Sequence, residues 1–421
     1  MNHSRTLLRT LAAVGAITAL AGSATAVALR DAETVSGTPI AGEIDVRTLD
    51  TGSYPTEAWD AHDDAYVPFH SDYFKVAAMR LADHVATAFD IEPSLKYQVD
   101  LVGDPGFSKA VPSAYLGEDE DTESIAERNN LLFGFQSSGS DQADNFHSSW
   151  DWPRPNKSGS TIIGTVVMQF PDAEAADRAA TEFYDADFNR YRDRNEAVAL
   201  TDYAGAHSHW QPGKPTARSF LAHGSYVVAV LASTPTADRG ALAELVSKAY
   251  RVQLPMLDAL APISDEEMLD LPWDPDRLLH RTLNPSGYAW PDTEDGVVVG
   301  PQGILHYAVD RATAKSAYTA MGVEKAAIVD DTTLIRTADV ASAERAVTER
   351  RTTRAVAGGA EGPPDIPNSS CVENEVPDKR SSASKYTCLI AYDRYVAYVN
   401  SDQLLDAHQR AAAQYAILAN G

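Results

Sequence analysis

The period of the apolar positions changes along this chain in an order that occurs twice. Ile162 to Phe170 is an apolar run of strand length. Asp172 follows where an N-cap belongs, and Ala173, Ala176, Ala180, Phe183 and Tyr184 then recur at helical spacing. Phe220 to Val230 reads as a hairpin turning at His223-Gly224, because glycine accepts positive φ without steric penalty. Leu242, Leu245, Ala249 and Val252 mark a closing helix that Pro255 interrupts. The second pass has an apolar run over Ala326 to Ile335, Asp339 as the N-cap of a helix, and a hairpin over Leu389 to Val399 turning at Asp393-Arg394. It ends in a helix with Asp402 as N-cap and Leu404, His408, Ala411, Tyr415 and Leu418 on one face.

The two passes are also related residue by residue. Asp172 to Glu182 and Asp339 to Glu349 are identical at six of eleven positions, at an offset of 167. At an offset of 169, Ala222/Ala391, Tyr226/Tyr395, Val227/Val396 and Val230/Val399 are identical. Two matches in the same order at nearly equal offset signal a duplication. Each half reads strand–helix–hairpin–helix, which predicts an α+β protein of two duplicated halves, each an antiparallel or mixed sheet with helices packed on one face. Tyr226 and Tyr395 are then equivalent hairpin positions. Two further helices are expected to open the halves: Asp72 to Phe89, with Val76, Met79, Ala82, Val85 and Phe89 on one face, and Thr313 to Met321.

These patterns divide the chain into a signal at 1–26, an extended segment at 27–71, a first half at 72–260, a proline-rich connector at 261–296 and a second half at 297–421. Residues 93–160 are an insertion without a counterpart, containing an acidic loop at Glu118 to Asp121 and a capping-box match, Ser124-Ile125-Ala126-Glu127.

The first 26 residues carry Arg5 and Arg9, then an uncharged run, then Ala24-Thr25-Ala26, the pattern of a cleaved export signal with Val27 as the mature start. A retained membrane anchor is the rival reading, but the run is rich in alanine, which gains little from lipid. Leu20-Ala21-Gly22-Ser23 resembles a lipoprotein signal with Ser23 in place of the lipid-bearing cysteine, so no thiol is there to be alkylated. Nothing later in the sequence reads as a membrane span. The 421 residues carry a net charge of −25, and cleavage removes two arginines and no acid, taking it to −27. That excess argues against nucleic acid and against docking on anionic lipid. Two cysteines, Cys371 and Cys388, lie 17 apart in irregular-looking sequence. An isolated pair in an exported chain predicts one disulfide, between a loop and the first strand of the last hairpin.

No familiar catalytic motif is present. Ser382-Ala383-Ser384-Lys385 matches S-x-x-K without its partner elements. His207-Ser208-His209 with His223 lacks a fourth metal ligand and reads as a polar loop. His408, on the apolar face of the last helix, reads as a satisfied histidine. Trp150, Trp152, Trp210, Trp273 and Trp290 lie near proline or glycine and are expected to pack under loops. No catalytic, cofactor-binding or metal-ligating residue is assigned, and no cofactor is expected. Arg178 and Arg345, shared by the repeats, are the candidate ligand-site residues. The competing expectation is surface pairing with Glu182 and Glu349 at i,i+4.

The stretch Gly42-Glu43-Ile44-Asp45-Val46-Arg47-Thr48-Leu49-Asp50-Thr51-Gly52-Ser53-Tyr54-Pro55-Thr56 resembles the opening of an uncharacterised family of actinobacterial envelope lipoproteins. Asp393 to Val399, Asp406 to Arg410 and Ala416 to Leu418 resemble its ending. The first half is also similar, in element order, to extracellular sensor domains of actinobacterial serine/threonine kinases. The resemblance implies residence outside the cytoplasm and transfers no functional residue. The expectation is a non-catalytic envelope protein binding a small envelope ligand, a lipid or a protein partner, with a cleft between the halves as the natural site. A hydrolase acting on envelope material and a structural or adhesive surface protein are the alternatives.

Overall fold

A computed structural model describes residues 44–58, 73–99, 105–108, 110–117, 119–143, 159–274, 276–285, 291–353, 356–375 and 384–421. The signal, the mature start, Trp150, Trp152, Trp290, Ser382 and Ala383 lie outside the described residues.

In the first half the elements are α1 (Tyr73–Ala82), α2 (Ala88–Ile91), β1 (Tyr97–Gln98), β2 (Gly106–Phe107), α3 (Ser113–Leu116), α4 (Asp119–Arg128), β3 (Phe133–Ser140), β4 (Ile162–Gln169), α5 (Ala173–Arg190), β5 (Glu196–Ala197), β6 (His207–Trp210), β7 (Thr216–His223), β8 (Tyr226–Ser233) and α6 (Arg239–Asp258). A short α7 (Asp265–Leu269) lies in the connector. The second half holds β9 (Val297–Val299), α8 (Arg311–Met321), β10 (Lys325–Val329), β11 (Thr332–Arg336), α9 (Val340–Thr348), β12 (Val356–Ala360), β13 (Ser369–Asn374), β14 (Tyr386–Tyr392), β15 (Tyr395–Ser401) and α10 (Leu404–Asn420).

The first sheet runs β1-β3-β4-β8-β7-β6-β5, with β2 beside β3, and the second runs β9-β10-β11-β15-β14-β13-β12. Position by position the two orders are the same, and every pairing is antiparallel. Asp172 and Asp339 both cap their helices, accepting from the third helical N–H. Tyr226 and Tyr395 both open the second hairpin strand, and Gly224 and Asp393 take the positive φ of the turn. The molecule is therefore an α+β duplication.

Several local expectations are corrected. Helices cover both faces of each sheet. On one face of the first sheet Val166, Met168, Phe220 and Val227 meet α5, and on the other Ile163, Val167, Val228 and Val230 meet α1 and α6. Strands buried on both faces cannot alternate apolar with polar, which is why their sequence runs are continuous. The run Ala326 to Ile335 is not one strand but two, broken at Asp330-Asp331, where Asp330 takes φ +49°. Asp72 to Phe89 is not one helix: α1 stops at Ala82 and a capping box at Thr87 and Asp90 starts α2. By connectivity the counterpart of α8 is α4, since each leads directly into the strand that pairs with the repeat's first long strand. The backbone of 119–121 is helical rather than a loop, and Ser124 is an interior residue rather than a cap. Pro255 lies inside α6, which continues to Asp258. Gln403 rather than Asp402 precedes α10, because the Asp402 carboxylate accepts the Lys385 N–H. Cys371 sits in a strand, not a loop, and is bonded to Cys388 directly across β13 and β14, with Cα atoms 4.1 Å apart.

The halves meet through α1 and the loop after it. Val298 N–H reaches Met79 Sδ at 3.1 Å, and Asp83 accepts from Gly300 and Gly303 at 2.8 Å each. His306 is buried there. Its Nε2 faces the Ala82 and Val85 carbonyls at 3.1 and 3.2 Å, which makes Nδ1 the acceptor toward Ser137 Oγ at 2.8 Å. Burial first, then the buried Arg311, pushes its pKa down to about 3.

Candidate functional site

Equivalent places in the two sheets have been put to different uses. Counting five residues from each hairpin turn, Arg218 opposite Leu231 in the first half corresponds to Thr387 opposite Asn400 in the second. Over the first place lies α5, 18 residues long. Its later turns lay Phe183 on Phe220, with ring centroids 6.1 Å apart, and bring Asp187 down onto the sheet. Arg218 Nη1 donates to both Asp187 oxygens at 3.0 Å, and His209 Nε2 stands 2.9 Å from Oδ2. Burial alone raises a carboxyl pKa, but the His209 hydrogen bond and the Arg218 charge together hold Asp187 below its usual range. Tyr184 and Phe188 close over the His209 ring. An Asp–His pair of this kind serves catalysis when a hydroxyl sits at the other ring nitrogen. His209 Nδ1 has no hydrogen-bond partner among the described residues, and Ser208 instead bonds Ser219, which bonds Tyr250.

In the second half the corresponding helix, α9, is nine residues long and stops at Thr348. Beyond its end the sheet face is open, forming a cavity of about 230 Å³. Its floor is Ile328, Thr333, Tyr398, Asn400, Thr387 and Asn374, and Asp330 and Asp331 from the β10–β11 turn stand at one side. Ile304, Tyr307, Ala308, Val309 and Tyr318 close it from the second half's opening segment, and Thr352 and Thr353 from the chain leaving α9. The polar floor is wired together. Thr387 Oγ1 donates to Asn400 Oδ1 at 2.6 Å, Asn400 Nδ2 to the Asp331 carbonyl at 2.8 Å, and Asn374 Nδ2 to Ser384 O at 2.8 Å and Thr387 Oγ1 at 2.9 Å. Asn374 is only 3% exposed, yet its Oδ1 has no partner among the described residues. A buried amide oxygen left unpaired costs free energy that a bound donor would recover. Burial, then the neighbouring Asp331 and Asp295 carboxylates, raises the Asp330 pKa.

Behind Asp331 stands Arg410 of α10, 3.4 Å away, which also pairs with Asp406 at 2.9 Å. The early segment docks on the same helix. Tyr54 donates to Asp406 at 2.6 Å, Gln409 donates to Asp50 at 3.1 Å, and Asn420 donates to the Thr56 carbonyl at 2.9 Å. Gly52, at φ +56°, lies against Gln409, where a Cβ would collide. The opening and closing motifs of the sequence are thus one assembly.

None of the residues singled out by sequence lines the cavity. Arg178 pairs with Glu174 at 2.8 Å, not with Glu182, which takes Arg128 and Asn129 instead. Arg345 bonds Ser342 at 2.9 Å, and Glu349 pairs with Arg351. His207 and His209 face α5 from strand β6 rather than a loop, whereas His223 pairs with Asp258. His408 bonds the Glu361 carbonyl at 2.8 Å and lies near the disulfide. A signal for the cavity did exist. After the shared Thr-Glu the first copy continues Phe183-Tyr184-Asp185-Ala186 and the second continues Arg350-Arg351-Thr352-Thr353, which cannot extend an apolar helix face.

Comparison with known proteins adds the following. The extracellular domain of PknH from Mycobacterium tuberculosis is similar at 14% identity and a TM-score of 0.25, over 41% of this chain and 96% of that one. No curated protein matches. Two family models match in succession: Domain of unknown function (DUF7373) N-terminal over residues 68–273, and its C-terminal counterpart over 278–421. With both models spanning the two duplicated sheets in order, the chain belongs to the DUF7373 family.

Proposed function

We propose that this protein is an exported, non-catalytic binding protein of the cell envelope that holds a small polar ligand in the cavity of its second half. Export rests on the signal-like first 26 residues. Binding rests on one observation above the others: the buried Asn374 Oδ1, unpartnered among the described residues, in the floor of a cavity that the duplicate half covers with helix. The polar floor suits a ligand rich in hydrogen-bond donors better than an acyl chain. Protein isolated from its own envelope should carry a small molecule detectable by native mass spectrometry. Asn374→Leu should abolish that co-purification while leaving the circular dichroism spectrum unchanged. Equal ligand on both proteins, or none on either, would refute the assignment.

A hydrolase is the second reading, favoured by one observation: adjacent carboxylates, Asp330 and Asp331, beside the cavity, with the former's pKa raised. Release of soluble fragments from isolated envelope by wild type but not by Asp330→Asn would establish it over simple binding.

A further inference from the structure

We infer that the occupant of the second-half cavity is a small organic cation, an ammonium group on a short aliphatic stem; this deepens, and rests on, the binding reading above. The lining contributes two carboxylates, Asp330 and Asp331, and no lysine, arginine or histidine among the described residues. Asp295 adds a third acid at the rim, its carboxylate accepting the Asp330 N–H. Two neighbouring arginines already have acidic partners: Arg410 pairs with Asp331 and Asp406, and Arg351 with Glu349. No ion pair compensates Asp330 among the described residues.

The uncharged groups agree with this. Both amide hydrogens of Asn374 are engaged by Ser384 O and Thr387 Oγ1, which fixes the amide orientation and leaves the buried oxygen as the unpartnered atom among the described residues. That oxygen requires a donor, and an ammonium group is donor only. Tyr307 and Tyr398 also line the cavity, and their hydroxyls are already bonded, to Thr293 O at 2.7 Å and Arg351 O at 2.9 Å. Aromatic faces beside carboxylates attract an organic cation. A divalent metal ion instead demands six or so oxygen ligands, and Ile304, Ala308, Val309 and Ile328 supply none from their side chains. The net charge of −25 draws cations toward the molecule and repels anions.

The test uses the intact chain at low salt with four probes of defined charge: 1,5-diaminopentane, its neutral analogue 1,5-pentanediol, glutarate and calcium chloride. Binding is read by isothermal titration and by saturation transfer from the protein to the probe. The diamine should bind at least tenfold more tightly than the diol, and glutarate should not bind. Asp330→Asn should weaken the diamine about tenfold. Asparagine tolerates the positive φ of that turn, so this variant keeps its fold. Diol or glutarate binding as well as the diamine, with Asn374→Leu abolishing it, would leave the cavity as a binding site and refute its preference for cations. Calcium binding that displaces the diamine would replace the organic cation with a metal ion. Silence from all four probes would overturn the cation inference and count against the cavity as a binding site.

Discussion

The two halves share strand order, helix caps and hairpin turns, but differ in how far one helix runs. In the first half α5 continues for 18 residues, and its last turns bury Phe183 and seat Asp187 between Arg218 and His209. In the second half α9 ends after nine, and the same patch of sheet is lined by Thr387, Asn400 and Asn374 beneath a cavity. The comparison teaches that a duplicated fold acquires a cavity by subtraction. A helix shorter by nine residues, about two and a half turns, leaves uncovered a sheet face whose positions can be polar. The first half keeps the covered form and serves as an internal control for the second.

That comparison can be broken by mutation. Phe183→Ala, at a fully buried position whose aligned residue in the second half, Arg350, lies beyond the end of α9, should cost about 4 kcal/mol in urea unfolding. A loss below about 1 kcal/mol would mean that the later turns of α5 do not cover the sheet as described. Asp187→Ala strips the charge partner from Arg218 and His209 and should cost about 3 kcal/mol, whereas replacing Asp187 and Arg218 together by leucine and methionine should recover most of it. Equal losses in the single and double variants would show that the pair is not coupled. Cys388→Ser should lower second-half stability by about 3 kcal/mol, while hydrogen exchange in β4 and β8 stays unchanged; loss of protection in both sheets would show that the halves unfold as one.

The junction gives a pH test. His306 is held neutral with a folded pKa of about 3 against an ordinary value near 6.5. The unfolded chain therefore takes up the proton first. The stability associated with the neutral ring is complete above pH 6.5 and is lost as pH falls toward 3. The loss at pH 5 is about 2 kcal/mol, and His306→Gln should flatten that slope. A slope unchanged by the substitution would place the titration elsewhere. The smallest effects are those of the shared caps. Asp172→Ala and Asp339→Ala should each cost about 1 kcal/mol, and clearly unequal values would mark the two helix starts as inequivalent.

Much of this architecture was readable in the sequence because duplication doubles every signal. Asp172 and Asp339, Tyr226 and Tyr395, and the turns at Gly224 and Asp393 each mark one backbone position twice. The cavity was not read, for two physical reasons. Its floor comes from residues of β10, β11, β13, β14 and β15, which adjoin only after the sheet forms, so no local spacing announces them. Asp330 and Asp331 sit within what reads as one apolar run, Ala326 to Ile335, although two adjacent acids seldom lie inside a buried strand. The identical arginines, Arg178 and Arg345, mark equivalent helix positions and not a site. The informative positions were those immediately after the identity ended, where Phe183 faces Arg350 in the alignment. The proline that closely follows His207 and His209 makes them read as a loop in sequence, whereas strand β6 ends just before it.

The docking of residues 50–56 on α10 has a consequence for the order of events in synthesis. Tyr54 and Asp406 are 352 positions apart. At roughly 5–20 residues added per second, Tyr54 waits tens of seconds before its partner exists. A chain released before α10 is made leaves both the Tyr54 segment and the back of the second sheet exposed. Only a polypeptide synthesised through α10 can close this contact, and its protection from a protease therefore reports that translation has passed that helix.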